Sequence, residues 1–211
     1  MAASPFSIMA EHELARFTAA AQEFADSGRV PATPRLAATV ALMRPDGAVF
    51  LMRRSMGMVF GGRWAFPGGS ADMLDAEAPG ACFDPDTESA TARRAAVREV
   101  AEETGLDLDP AKLIPWSRWV TPLFEPRRFD TYFFVGPLTT ATELDVVNGE
   151  ADATGWFDPA DAVARFGTGE MPMLPPTVIT LQELAQVGTP AGILAAAAGR
   201  SPRSPILPAL P

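Results

Sequence analysis

The sequence has one cysteine, Cys82, and one histidine, His12, among 211 residues. A single thiol excludes an intramolecular disulfide, zinc fingers and iron–sulfur ligation by cysteines alone, and it fits an intracellular setting. One imidazole, far from any segment that carries chemistry, excludes a His-rich metal centre and sets aside a Ser–His–Asp arrangement. Positive charge is scarce as well. Seventeen Lys+Arg against 26 Asp+Glu leave a net charge of −9 and a pI near 4.6. That balance argues against a sequence-independent grip on nucleic acid or on an anionic membrane, so neither is expected as a partner. No stretch approaches the roughly 20 apolar residues that span a bilayer. The N-terminal MAASPFSIMAEHELARF has no basic segment ahead of an apolar run, and Glu11 and Glu13 interrupt it. No signal peptide is read there, and the expected location is the cytoplasm. What remains, 47% hydrophobic and 20% charged, suits one core-bearing globular domain with extensions or at most two small ones.

Leu14, Phe17, Ala21 and Phe24 recur at spacings of three and four, which predicts a helix over about 8–27 with Gly28 as its stop. Pro31 and Pro34 mark a linker. The nearly all-apolar run from Leu36 to Met43 reads as a strand buried on both faces, followed by an Asp46-Gly47 turn and a returning strand over 48–52. Residues 70–86, rich in Asp, Pro and Ala, read as a loop; a helix is expected over about 87–104, ended by Gly105. Strands are expected at 116–120 and 132–135. Asp158-Pro159 opens a short helix closed by Gly167, further helical patches cover 177–187 and 191–198, and a Pro-rich tail reads as mobile. This mixed order implies an α+β fold with a sheet covered by helices.

The chemistry concentrates in Arg98-Glu99-Val100-Ala101-Glu102-Glu103-Thr104-Gly105-Leu106. At about 100° per residue, Glu99, Glu102 and Glu103 fall within an arc of about 100° on one helix. Ala92 and Ala95 share that face, leaving open space around the carboxylates, while Val97 and Val100 lie opposite and would pack on the sheet. Carboxylates at i, i+3 and i+4 repel by roughly 0.2–0.5 kcal/mol per pair even when exposed. A cation among them removes that repulsion, and all-carboxylate ligation suits Mg²⁺ or Mn²⁺. A solvated acidic helix face has the same pattern. Pro67-Gly68-Gly69 adds backbone that can approach a ligand closely, and a carbonyl there could complete a metal shell.

REVAEETGL resembles the second half of the Nudix box, whose pattern is G-x5-E-x7-R-E-U-x-E-E-x-G-U with U aliphatic. Phe66-Pro67-Gly68-Gly69 is the usual lead-in, and the 36–52 hairpin precedes it in the expected order. The resemblance covers about residues 35–185, with 1–34 as a helical extension and linker, 35–187 as the domain and 188–211 as a helical patch and tail. It implies an α/β/α sandwich with a mixed sheet. Two features depart from the pattern. Gly69 and Arg98 are 29 positions apart where the pattern has 14, an insertion of 15 residues at about 70–86. Where the pattern has the glutamate that mainly holds the arginine, this chain has Ala90; Glu88 and Asp86 are the candidates to replace it. The long spacer after FPGG, together with RRSMGMVFGG at 53–62, WVTPLFEPRRFDTYFF at 119–134 and LPPT at 174–177, is similar to the peroxisomal-type coenzyme A diphosphatases and their bacterial relatives.

The resemblance implies hydrolysis of a diphosphate in a nucleoside diphosphate derivative, with coenzyme A or an acyl-coenzyme A as first choice. ADP-ribose or another nucleoside diphosphate derivative is the alternative, and a non-catalytic nucleotide-binding module a further one. Glu99, Glu102 and Glu103, helped by the Gly69 carbonyl, would hold Mg²⁺ or Mn²⁺. Water would be the nucleophile, and a carboxylate of the box or Glu150 would take its proton. Arg98 is expected to orient carboxylates and loop carbonyls, and Gly105 to be structural. Arg127 and Arg128 could meet an extra phosphate, or form a solvated loop edge or a salt bridge with Asp130. The N-terminal helix is compatible with packing across a homodimer.

Overall fold

The structure is a computed structural model and describes residues 8–9, 11–76, 85–144, 149–198 and 205–206, with side chains in the second long helix described from Glu88 onward. Helix α1 (Glu11–Ser27) starts three residues later than the apolar spacing predicts and stops at Gly28, whose φ of 65° is left-handed. Strand β1 (Arg35–Met43) turns back through Asp46-Gly47 into β2 (Val49–Arg54). The Asp46 carboxylate accepts from the Ala48 N–H at 3.1 Å, which fixes that turn. Two very short strands follow, β3 (Trp64–Ala65) and β4 (Gly68–Ser70). Helix α2 (Pro85–Thr104) then leads to β5 (Ile114–Val120), β6 (Phe129–Pro137) and β7 (Ala151–Phe157). Helices α3 (Pro159–Gly167), α4 (Pro175–Val187) and α5 (Pro190–Ala197) close the described chain. Asp158 caps α3 by accepting from the Ala160 and Asp161 N–H groups.

These strands form one mixed sheet of order β3-β2-β1-β6-β5, with β4 also on β1 and β7 also on β2. β1 and β6 are parallel over nine residue pairs, and the other pairs are antiparallel. β1 and β2 meet only at Met43 and Val49 and then part. That split lets β4 pair with the first half of β1, Ala38 opposite Gly69. Alternate residues of β1 face opposite layers, as the two-residue period of a strand requires. Ala38, Val40 and Leu42 pack with Ala92, Ala95, Ala96 and Val100 of α2. Ala41 and Met43 pack with Val178, Leu181, Leu184 and Ile193 of α4 and α5. The result is the expected sandwich of helices around a mixed sheet.

The sequence reading missed β3, β4 and β7. β3 and β4 are two- and three-residue strands held only by their neighbours, and β7 is no more than half-buried along its length. The tail also needs correction at one point. Ile206 pairs beside β5, donating its N–H to the Arg118 carbonyl at 2.7 Å and accepting from the Val120 N–H at 3.2 Å. Cys82, in the insertion, lies outside the described residues. Among the described residues, no helix is long and apolar enough to cross a membrane.

Candidate active site

The last two turns of α2 lie against β4, and the contact is very close. Gly68 has φ 148°, and a Cβ there would stand 2.2 Å from the Ala38 carbonyl oxygen. Its N–H donates to Glu103 Oε2 at 2.8 Å. The turn before it is pinned by Thr39, whose hydroxyl donates to the Pro67 carbonyl at 2.7 Å, and by the Val40 N–H on the same oxygen. At Gly69 a Cβ would fall 2.5 Å from Glu99 Oε1, so the Glu99 carboxylate covers the bare face of that glycine. One correction follows for α2. Ala92 and Ala95 leave no open space; both are fully buried in the layer between α2 and the sheet. Their small size is what allows the helix to approach so closely. Val100 packs on the sheet as expected, and Val97 is partly buried.

Glu103 is only 1% exposed. Burial pushes its carboxyl up to about 8; Glu99 and Glu150 add to the rise, while the Gly68 N–H and the Arg54 charge oppose it. Glu99 is raised too, first by burial, with Arg98 opposing and Glu102 and Glu150 assisting. Glu102 is half-exposed and reaches Arg98 at 3.1 Å. Glu150, on the segment before β7, thus lies within electrostatic reach of both inner glutamates. Its backbone carbonyl accepts the Ser55 N–H at 2.8 Å. Arg54 stands where the β2–β7 register shifts between Arg53 and Arg54, and its Nε donates to the Val59 carbonyl at 3.1 Å. Its charge reaches Glu103, a role the sequence reading did not assign; the Arg53-Arg54-Ser55 run at a strand end was the available signal.

Among the described residues, no three His, Cys, Asp or Glu side chains converge as a ready-made metal cage. Glu103 is turned to Gly68, and Glu99 and Glu102 to Arg98. The chemistry of the donors nevertheless fits a hard divalent cation. They are all oxygen, and the charged forms of buried Glu103 and half-buried Glu99 are disfavoured where they stand. A cation there would share Glu99 and Glu102 with Arg98.

A family model described as the NUDIX domain matches residues 33–175. The chain belongs to the NUDIX family. It is 27% identical over 197 residues to "Putative nudix hydrolase 7" of Caenorhabditis elegans, across 76% of this chain and 63% of that protein. The chain therefore spans less than two thirds of that relative's length. Among solved structures it is similar to a NUDIX hydrolase from Alicyclobacillus acidocaldarius, with a TM-score of 0.66 and 28% identity over 80% of this chain and 97% of that one. A MutT NUDIX hydrolase from Burkholderia pseudomallei gives 0.53 and 23%, over 72% and 98% of the two chains. The NUDIX domain of Shewanella oneidensis NrtR, solved with ADP ribose, gives 0.52 and 17%, over 79% and 96%. The last two share the fold.

Against the NUDIX pattern, the fate of Arg98 is the main surprise. Glu88 does not hold it; that carboxylate takes hydrogen bonds from Arg118 at 2.9 Å and from the Tyr132 hydroxyl at 3.3 Å. The Asp86 side chain lies outside those described. The partner is Asp75, bound to Arg98 Nε at 3.2 Å and Nη2 at 3.0 Å. Gly105 has φ 71° and ends α2, its N–H on the Ala101 carbonyl. Arg128 is a further correction. It is 7% exposed, and its guanidinium donates to the carbonyls of Thr121, Pro122 and Ala32. Such an arginine clamps its own loop to the linker after α1 and does not reach outward for a phosphate. Arg127 is exposed, and Asp130 pairs with Arg118 instead of either arginine.

Proposed function

We propose that this chain is a divalent-metal-dependent diphosphatase that cleaves the diphosphate of coenzyme A or an acyl-coenzyme A, releasing 3′,5′-ADP and a phosphopantetheine compound. The observation that carries the reading is the packing of Glu103 and Glu99 on Gly68 and Gly69, which gathers two carboxyl groups beside exposed Glu102 at one helix end. Glu99, Glu102 and Glu103 would hold the cation. Bound there, Mg²⁺ or Mn²⁺ supplies Lewis acidity toward the diphosphate and toward water. The Gly68 N–H fixes one oxygen of Glu103 and leaves the other available. Arg98 orients Glu99 and Glu102 and holds the Ser70 carbonyl. Glu150 or a carboxylate of the helix takes a proton from the attacking water.

The substrate choice draws support from one of the segments that resemble the coenzyme A branch, residues 53–62, which reaches this helix end. Residues 53–62 carry Arg54 to Glu103 and tie Ser55 to Glu150. Immediately beyond them, Trp64 donates its N–H to the Pro172 carbonyl at 2.8 Å, which joins this segment to the approach to LPPT. The test is incubation with Mg²⁺ or Mn²⁺ and coenzyme A, acetyl-coenzyme A, ADP-ribose, NADH and nucleoside triphosphates, with products identified by mass. Release of 3′,5′-ADP is expected. AMP from ADP-ribose alone would move the substrate, and tight binding of one compound without cleavage of any would make the chain a binding module.

A further inference from the structure

Arg98 has five N–H donors, and every one is engaged. Nη1 reaches Glu99 at 3.0 Å and Glu102 at 3.1 Å. Nη2 reaches the Ser70 carbonyl and Asp75 Oδ2, each at 3.0 Å, and Nε reaches Asp75 Oδ1 at 3.2 Å. One edge of the guanidinium thus faces the site carboxylates, and the other is forked onto a carboxylate that is 4% exposed. Asp75 owes its place to bonds within its own short segment. The Asp72 N–H donates to Asp75 Oδ2 at 2.9 Å, while Asp72 Oδ1 accepts from the N–H groups of Leu74 at 2.7 Å and Asp75 at 3.3 Å. Arg94, one turn before Arg98, donates to the Asp75 carbonyl and anchors the segment on α2.

We propose that Asp75, supplied by the insertion, is the positioning residue that sets how strongly Arg98 binds Glu99 and Glu102, and thereby how tightly the site takes a divalent cation. The inference rests on the reading of those glutamates as the cation's holders. A guanidinium carries one positive charge to divide among its anionic neighbours. With Asp75 ionised behind it, Arg98 hydrogen-bonds Glu99 and Glu102 without neutralising them. Without that charge, Arg98 pairs more closely with the same oxygens a cation needs and competes with it. Position 90 cannot take this part. α2 runs unbroken from Pro85, so Ala90 stands eight residues, about 12 Å, up the axis from Arg98. The carboxylate has to come from a segment lying alongside the helix, and residues 71–75 lie there.

The experiment measures Mn²⁺ dissociation constants by paramagnetic resonance of free Mn²⁺, well below the melting temperature, for the wild type, Asp75→Asn, Arg98→Lys and the double variant. Asp75→Asn is expected to weaken Mn²⁺ binding by about 10–100-fold, the range for a group that orients a ligand from behind. The double variant is expected to bind no more weakly than Arg98→Lys, since Asp75 acts only through Arg98. Asp75→Ser keeps an oxygen for the Asp72 N–H but not the charge, and is read in the same way if Asp75→Asn does not fold. Folded Asp75 variants with wild-type affinity would overturn the proposal. So would losses in the two single variants that multiply in the double one. A wild type that binds no Mn²⁺ would instead remove the metal reading itself, and this inference with it.

Discussion

A carboxyl that keeps its proton up to about pH 8 makes a specific claim at Glu103. Glutamine there retains an oxygen for the Gly68 N–H and cannot ionise. Glu103→Gln is therefore expected to fold normally but to lose more turnover than the roughly 10–100-fold typical of removing a group that only supports a metal ligand. In EDTA at pH 8 it should melt no lower than the wild type. Circular dichroism melts and the product assay check both halves, and a fully active variant would sink the metal reading. Gly68 makes a different claim. An alanine there meets strained φ and a backbone oxygen 2.2 Å from its Cβ. The strain alone costs about 1–3 kcal/mol. At about 2–4 °C per kcal/mol for a chain of this size, Gly68→Ala should lower the melting temperature by several degrees, more once the clash is added. A melt unchanged from wild type would mean that β4 can leave β1 without cost.

At the scale of elements, α2 sets the site by lying close to β4, and Ala92, Ala95 and Ala96 make that closeness possible. Ala95→Leu adds volume where none is free and is expected to cost about 1–3 kcal/mol. It should also weaken activity beyond what the stability loss explains, because the helix carries Glu99 and Glu103 away from Gly68 and Gly69. Activity measured well below the melting temperature separates the two effects; a destabilised but fully active variant would show that the close approach is not needed. The helix was legible in the sequence because glutamates at i, i+3 and i+4 and a terminal glycine are local signals. Its buried face was misread, since alanines are equally at home beside open space and in a tight helix–sheet contact. Asp75 was illegible for another reason. It lies 23 residues before Arg98, and only the folded insertion brings the two together. Arg128 was misread because its guanidinium is buried where the Thr121, Pro122 and Ala32 carbonyls converge, which no spacing announces. β4 likewise exists only because β1 parts from β2 and leaves an edge for it.

For the whole molecule, a net charge of −9 and a cluster of buried carboxyls give stability an unusual dependence on pH. Glu103 has its ordinary value near 4.5 in the unfolded chain and about 8 in the folded one. Below about 4.5 both states are protonated. Between those values the folded protein retains a proton that the unfolded chain has released, so folding stability falls as pH rises, by roughly 1 kcal/mol per pH unit from this group. Above about 8 both states are ionised and the decline ends. Glu99, raised in the same direction, adds to the effect. A divalent cation reverses the slope, because it binds the ionised carboxylates and its affinity grows as protons leave. The melting temperature in EDTA is therefore expected to fall from pH 6 to pH 8. The rise produced by saturating Mg²⁺ or Mn²⁺ should be larger at pH 8 than at pH 6. Glu103→Gln should flatten most of the metal-free decline, since it removes the proton that is being lost. Calorimetric melts across that range, with and without the cation, decide it. A metal-free protein that grows more stable toward pH 8 would show Glu103 already ionised at neutral pH, with a counter-charge such as Arg54 outweighing its burial.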